Sequence, residues 1–175
     1  MNHGFVKIAS AVPTVTVANC RANVEQIKKL ISQAEENHVE IICFPELCIT
    51  GYTCQDLFFQ EQLLGEAERG LISLMDFTRS LDIISIVGLP LPYCGSILNC
   101  AAVLQHGKIV GIVPKTYLPN YKEFYEKRWF TSANDIRPGS VWCCGQQIPL
   151  HKHLLVHTPS CVFGVEICED VWAPC

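Results

Sequence analysis

No apolar run in this sequence approaches the 18 residues that mark a membrane-spanning helix, so no span is expected. No C-x-x-C occurs among the 11 cysteines, which argues against a zinc ribbon or a thioredoxin-type pair. Cys143 and Cys144 are adjacent, a spacing read as suiting neither a metal nor an easy disulfide. G-x-S-x-G, the Walker A pattern and G-x-G-x-x-G are missing, and serine-hydrolase, P-loop and dinucleotide-binding readings lose their marks with them. Charge is sparse, 17% of residues with a formal net of −4. The densest charged stretch, KEFYEKR (122–128), mixes both signs, so a nucleic-acid backbone would find no basic footprint. MNHGFVKIAS lacks the charged-then-apolar pattern of a secretory signal. The odd cysteine count then fits a reducing cytoplasm, with most thiols acting as small buried hydrophobes.

What is present is an ordinary globular chain of 175 residues, 49% of them hydrophobic, enough for one domain with a sizeable core. FVKIASAV (5–12) reads as a buried strand. A helix is expected over about 20–37, with Val24, Ile27, Leu30, Ile31 and Ala34 on one face and Asn19 as its N-cap. VEIICF (39–44) is a second strand, which closes a β-α-β unit whose two strands should run parallel. A second helix spans about 60–80, with Leu63, Leu64, Ala67, Leu71, Leu74 and Phe77 at helical spacing, and DIISIVGLP (82–90) is a third strand. LNCAAVLQ and KIVGIVP flank His106-Gly107, a two-residue hairpin signal. Residues 116–147 read as aromatic loop with at most a short helix near 122–128, and a second hairpin turns at Pro159-Ser160. This order predicts an α/β fold with a mixed sheet.

Three residues stand where a buried-looking strand meets a loop: Glu46 in IICFPELCITGY, Lys115 in KIVGIVPKTYLPNY and Cys168 in FGVEICEDVW. An acid, a cation and a thiol brought to one sheet edge would suit a nucleophilic cysteine hydrolase. Cys168 would attack as the thiolate, Glu46 would take its proton and Lys115 would stabilise an oxyanion. The alternatives are a structural thiol, a loop acid and a solvated lysine. Glu123, eight residues after Lys115, is read as a second carboxylate that orients the lysine, or else as a partner of Lys127 on a helical face. Tyr52, Tyr121 and Phe124 are read as pocket aromatics or as core. His151, His153 and His157 are the rival metal set, provided that they share one face of a strand.

FPELCITGYTCQDLF, PKTYLPNYKEFYEKRWF and GVEICEDVW together resemble the nitrilase or carbon–nitrogen hydrolase superfamily. The closer resemblance is to the glutaminase domains of the glutamine-dependent NAD synthetase family, over about residues 5–175. It implies an α-β-β-α sandwich, with Glu46 as general base, Lys115 at the oxyanion, Cys168 as nucleophile and Glu123 as the additional glutamate. Tyr52, Tyr121, Phe124 and Glu169 would line a glutamine pocket. It implies no cofactor in this domain, whereas ATP and Mg²⁺ serve a separate synthetase domain that amidates deamido-NAD. That domain is the implied partner, together with a second copy in a homo-oligomer. The family's glutaminase domain continues past the nucleophile, so residues 1–175 are expected to be its N-terminal part and of little activity alone, a sheet edge being left open. Another nitrilase-type amidase and a catalytically silent nitrilase-like module remain the alternatives.

Overall fold

A computed structural model describes residues 4–173. The chain opens with β1 (Ile8–Ser10), α1 (Cys20–Glu36) and β2 (Ile41–Cys43), followed by α2 (Glu61–Phe77) and β3 (Ile84–Tyr93). Next come β4 (Ser96–Gln105), β5 (Lys108–Pro114), β6 (Gly139–Cys143), β7 (Gln146–Leu150), β8 (Leu155–His157) and β9 (Val162–Gly164). Strands β1 to β7 form one mixed sheet in the order β1-β2-β3-β4-β5-β7-β6, and β8 and β9 form a separate two-stranded sheet. The first three strands are parallel, as expected of the β-α-β unit, and β3, β4 and β5 run antiparallel.

Helix α1 starts where Asn19 accepts a hydrogen bond from Ala22 N at 3.1 Å, which satisfies one otherwise orphaned donor. It stops at His38, whose positive φ of 55° turns the chain out of the helix. Its Val24, Ile27, Ile31 and Ala34 are buried against α2 and the sheet, and Leu30 is half-buried. Burial of each large aliphatic is worth about 1.5–3 kcal/mol, so Ile27→Ala in this wall would cost about 2–5 kcal/mol. Asn23 shares the buried face although it breaks the apolar pattern. Its amide donates to Thr16 O and Ile49 O and accepts from Thr16 N, which ties the helix to the loop after β2.

The sheet is covered on both faces. Val87, Leu89, Cys100 and Ala102 face the helices, whereas Ile84, Ile86, Ala101 and Val103 pack with Val156, Phe163 and Ile167 of the β8–β9 layer. That is why β3 and β4 read as nearly continuous apolar runs. Helix layer, main sheet and β8–β9 make three of the four layers that the resemblance implies, and among the described residues no α-helix follows β9.

Several expectations need correction. Strand β1 is only three residues long, and Phe5, Ile8 and Val12 are 83, 63 and 81% exposed, because it is an edge strand with little packed over it. The β3–β4 and β6–β7 hairpins were not anticipated. Both turn on Cys-Gly pairs with positive φ, Cys94-Gly95 and Cys144-Gly145, the same geometry as the expected His106-Gly107 turn. Strand β3 runs on past the expected end at Pro90 to Tyr93; β2 pairs with it only over 84–86, so Pro90 and Pro92 lie past that ladder and strip no hydrogen bond from it. His151 and His153 flank a turn, with His153 N donating to His151 Nδ1, whereas His157 lies on β8. A shared strand face does not exist, and among the described residues the three make no metal-binding cluster.

Candidate active site

Glu46 sits on the tight loop that leaves β2. Gly88 of β3 lies under this loop so closely that a Cβ there would run into the Leu47 backbone N and come to 2.9 Å from Pro45 O. Ile49 N donates to Gly88 O, which pins the loop to the strand, and Leu47 holds a positive φ of 53°, a strained value for a leucine. The Glu46 side chain is 15% exposed. Its Oε1 accepts from Lys115 Nζ at 2.6 Å and from Asn99 Nδ2 at 2.5 Å.

Lys115 follows β5 directly. Its N–H donates to Asn99 O at 2.8 Å and its C=O accepts from Ala133 N at 3.0 Å, so the backbone is held on both sides. The side chain is fully buried. A buried ammonium is stable only when paired, and here Nζ also lies 2.8 and 2.9 Å from the two carboxylate oxygens of Glu126. Burial by itself would depress the Lys115 pKa, but Glu46 and Glu126 outweigh it and hold the ammonium form. Burial and the charge of Glu46 in turn push the Glu126 carboxyl up, against the opposing contacts of Lys115 and Tyr52.

The carboxylate expected from Glu123 is therefore supplied by Glu126. Glu123 is exposed, whereas Glu126 is fully buried and also accepts from Tyr52 Oη at 2.7 Å. Residues 121–125 are irregular, with Lys122 at positive φ, and the chain turns inward only at the 3₁₀ turn Glu126–Arg128. Asp56 clamps that turn from outside, accepting from Arg128 Nε and Nη2 and from Trp129 Nε1. Both glutamates lie in one charged loop, and nothing in its spacing separates them.

Cys168 stands at positive φ (49°), at the head of a 3₁₀ turn over Cys168–Val171. It follows β9, which belongs to the second sheet, so the three side chains meet between layers and not on one sheet edge. Asp170 fixes the turn by accepting from Thr116 N and Tyr117 N, the residues next to Lys115. Burial raises the Cys168 pKa first, and Glu46 raises it further, more than Lys115 lowers it. Lys115 does favour the thiolate, but burial and Glu46 outweigh it, so the Cys168 pKa stands above the ordinary cysteine value and the resting group is a thiol. Two carboxylates against one ammonium leave net negative charge beside it, and a proton acceptor is needed at the moment of attack.

The four residues expected in a pocket lie together. Phe124 packs edge-on to Tyr52 and Tyr121, at ring separations of 6.5 and 5.9 Å. Tyr121 Oη donates to Glu169 at 3.0 Å. A cleft of about 720 Å³ takes in Tyr117, Tyr121, Phe130 and Glu169 along its walls and stops short of Cys168. Asn99 and Asp170 were not singled out from the sequence. Asn99 is a polar residue inside a buried strand, a detectable signal, whereas Asp170 differs in nothing local from Glu169.

An acid, a buried lysine and a strained thiol, with a second acid behind the lysine, define a thiol-dependent hydrolase centre. The sequence profile of the carbon-nitrogen hydrolase family matches residues 7–175, and the chain belongs to that family. Among its relatives it is 33% identical to the glutamine-dependent NAD(+) synthetase of Mycobacterium tuberculosis, over 98% of this chain and 26% of that protein. It is 36% identical to the same enzyme of Aquifex aeolicus, over 91% of this chain and 25% of that protein. The crystal structure of a glutamine-dependent NAD(+) synthetase from Cytophaga hutchinsonii superposes with a TM-score of 0.87 at 32% identity, covering 94% of this chain and 28% of that one. An amidase from Nesterenkonia shares the fold at 21% identity and a TM-score of 0.64. The chain thus spans about a quarter of the length of the synthetases that it matches. Among the described residues no helix is long and apolar enough to cross a membrane.

Proposed function

We propose that this chain is the glutamine-hydrolysing part of a glutamine-dependent NAD synthetase. The observation that carries the reading is the buried Lys115 ammonium, held between Glu46 and Glu126 beside Cys168. The synthetase relatives, matched over nearly the whole chain, supply the substrate. Glu46 takes the Cys168 proton as sulfur attacks the carboxamide carbon of glutamine. Lys115 faces the oxygen that becomes negative, and Glu126 and Tyr52 fix the lysine. Collapse expels ammonia, which takes up the proton from Glu46, and leaves a glutamyl thioester. Water, deprotonated by Glu46, cleaves the thioester to glutamate and restores the thiol. Tyr52, Tyr121, Phe124 and Glu169 are assigned to the approach of the substrate, with the carboxylate of Glu169 suited to its α-ammonium group. Ammonia would then feed the ATP- and Mg²⁺-dependent amidation of deamido-NAD on a synthetase domain outside these residues.

The test is Cys168→Ala in the full-length protein. Glutamine-dependent NAD formation should fall by several orders of magnitude, because no covalent path remains, while ammonia-dependent formation is kept. Equal loss with both nitrogen donors would overturn the assignment.

A further inference from the structure

We propose that Cys143, Cys144 and Glu68 form a binding site for one thiophilic divalent cation, zinc(II) being the best match to the donors. The site joins the β6–β7 turn to the middle of α2 and shares no residue with the Glu46–Lys115–Cys168 centre. Adjacent cysteines on a regular strand point to opposite faces. Here Cys144 has left the strand at positive φ (50°), and the two sulfurs come to 3.4 Å. Glu68 Oε1 lies 3.9 Å from Cys143 Sγ, and the three donor atoms all fall within 4.8 Å of one another.

A tetrahedral zinc with bonds of about 2.3 Å to sulfur and about 2.1 Å to oxygen sets its sulfurs about 3.8 Å apart, and sulfur and oxygen about 3.6 Å apart. The observed 3.4 and 3.9 Å bracket those spans, so small rotations suffice. The carboxylate is also positioned beforehand, since Glu68 Oε1 accepts from Cys144 N at 3.0 Å. Cys143 is buried, Cys144 half-buried and Glu68 exposed, which closes one side of the site and leaves the fourth position to water. Two thiolates with one carboxylate suit zinc better than a wholly soft ion such as copper(I). A disulfide is the poorer use of this pair. Neighbouring Cα atoms are about 3.8 Å apart, short of the roughly 4.4–6.8 Å that disulfides span. A bound cation would fasten α2 to the sheet's last hairpin and stabilise the folded state by mass action.

The test uses the full-length protein carrying Cys168→Ala, so that the nucleophile does not compete, reduced and stripped of metal. Cobalt(II) should bind with one equivalent that shows thiolate charge-transfer absorption and the intense visible bands of tetrahedral coordination, and zinc should displace it. A hard magnesium site elsewhere in the protein would give no sulfur charge transfer. Cys143→Ser combined with Cys144→Ser should remove that equivalent. Glu68→Gln and Cys144→Ser, both on the more open side, should each weaken it at least roughly tenfold and cover the case in which the double variant fails to fold. The proposal is overturned if the sulfur signature is absent, if these variants leave it unchanged, or if the pair proves to be a disulfide that zinc does not prevent.

Discussion

Glu126→Gln, compared with Glu123→Gln, isolates the residue on which the lysine depends. The glutamine keeps the shape and one acceptor oxygen, which in the place of Oε1 can still accept from both Tyr52 and Lys115. Its NH₂ then takes the place of Oε2 and faces Lys115 Nζ, so the contact at 2.9 Å turns from attractive to repulsive. Hydrogen bonds to charged groups are worth about 1.5–3 kcal/mol, and Glu46 still pairs the lysine, so the loss should stay in that range. Folding stability should drop correspondingly, lowering the melting temperature by roughly 3–12 °C. The same loss of lysine positioning during oxyanion formation should cut glutamine kcat/KM by about 10- to 100-fold. Glu123 is exposed, and its glutamine variant should stay within about 0.5 kcal/mol of the parent by both measures. Thermal melts and steady-state glutamine hydrolysis on the three proteins give the answer. If Glu123→Gln loses as much as Glu126→Gln, or Glu126→Gln loses nothing, the argument from burial and pairing is wrong.

Because the Cys168 pKa is raised, labelling of this thiol by neutral iodoacetamide should climb with pH to a midpoint above the ordinary cysteine range. Glu46→Gln should move that midpoint down and Lys115→Met should move it up, as peptide mapping of Cys168 would read; a midpoint below the ordinary range contradicts the charge count. Lys115 has a folded pKa above the usual 10.5, so its contribution to stability is fully present below that pH and is lost as pH rises through the folded value. Lys115→Met should therefore cost about 3–5 kcal/mol at neutral pH, by stranding two carboxylates. Part of that cost should disappear toward about pH 5 as Glu126, whose pKa is raised, takes a proton; denaturant titrations at about pH 5 and about pH 8 compare the two, and an equal or larger loss in acid refutes the pairing. Gly88→Ala must push backbone, not a flexible side chain, out of the way. It should cost about 1–3 kcal/mol, and a loop shift of about 1 Å at Glu46 should lower turnover up to roughly 100-fold; unchanged melting and kinetics would show that the loop is not held by this approach.

Local pattern was enough to identify much of this protein. Apolar periodicity located both helices, because a face that must be buried repeats every 3.6 residues whatever it packs against. The Asn19 cap, the parallel β1–β2 unit and the His106-Gly107 turn are likewise short-range consequences of side-chain and backbone chemistry. The segments around Glu46, Lys115 and Cys168 carried the resemblance to the family, because the three motifs are specific in combination although none is alone. What the sequence left open depends on burial, and burial is a property of the assembled layers. Glu123 and Glu126 are equivalent in the chain until the 3₁₀ turn drives one of them onto Lys115. Lys115 looks like any solvated lysine until two acids enclose it, and the Cys168 thiol is raised first by its burial and then because those acids outnumber that lysine. Cys143 and Cys144 meet Glu68, 75 and 76 positions away in sequence, once the sheet's last hairpin packs on α2. Charges, thiols and their pKa values answer to neighbours in space, and only the tertiary structure decides which those are.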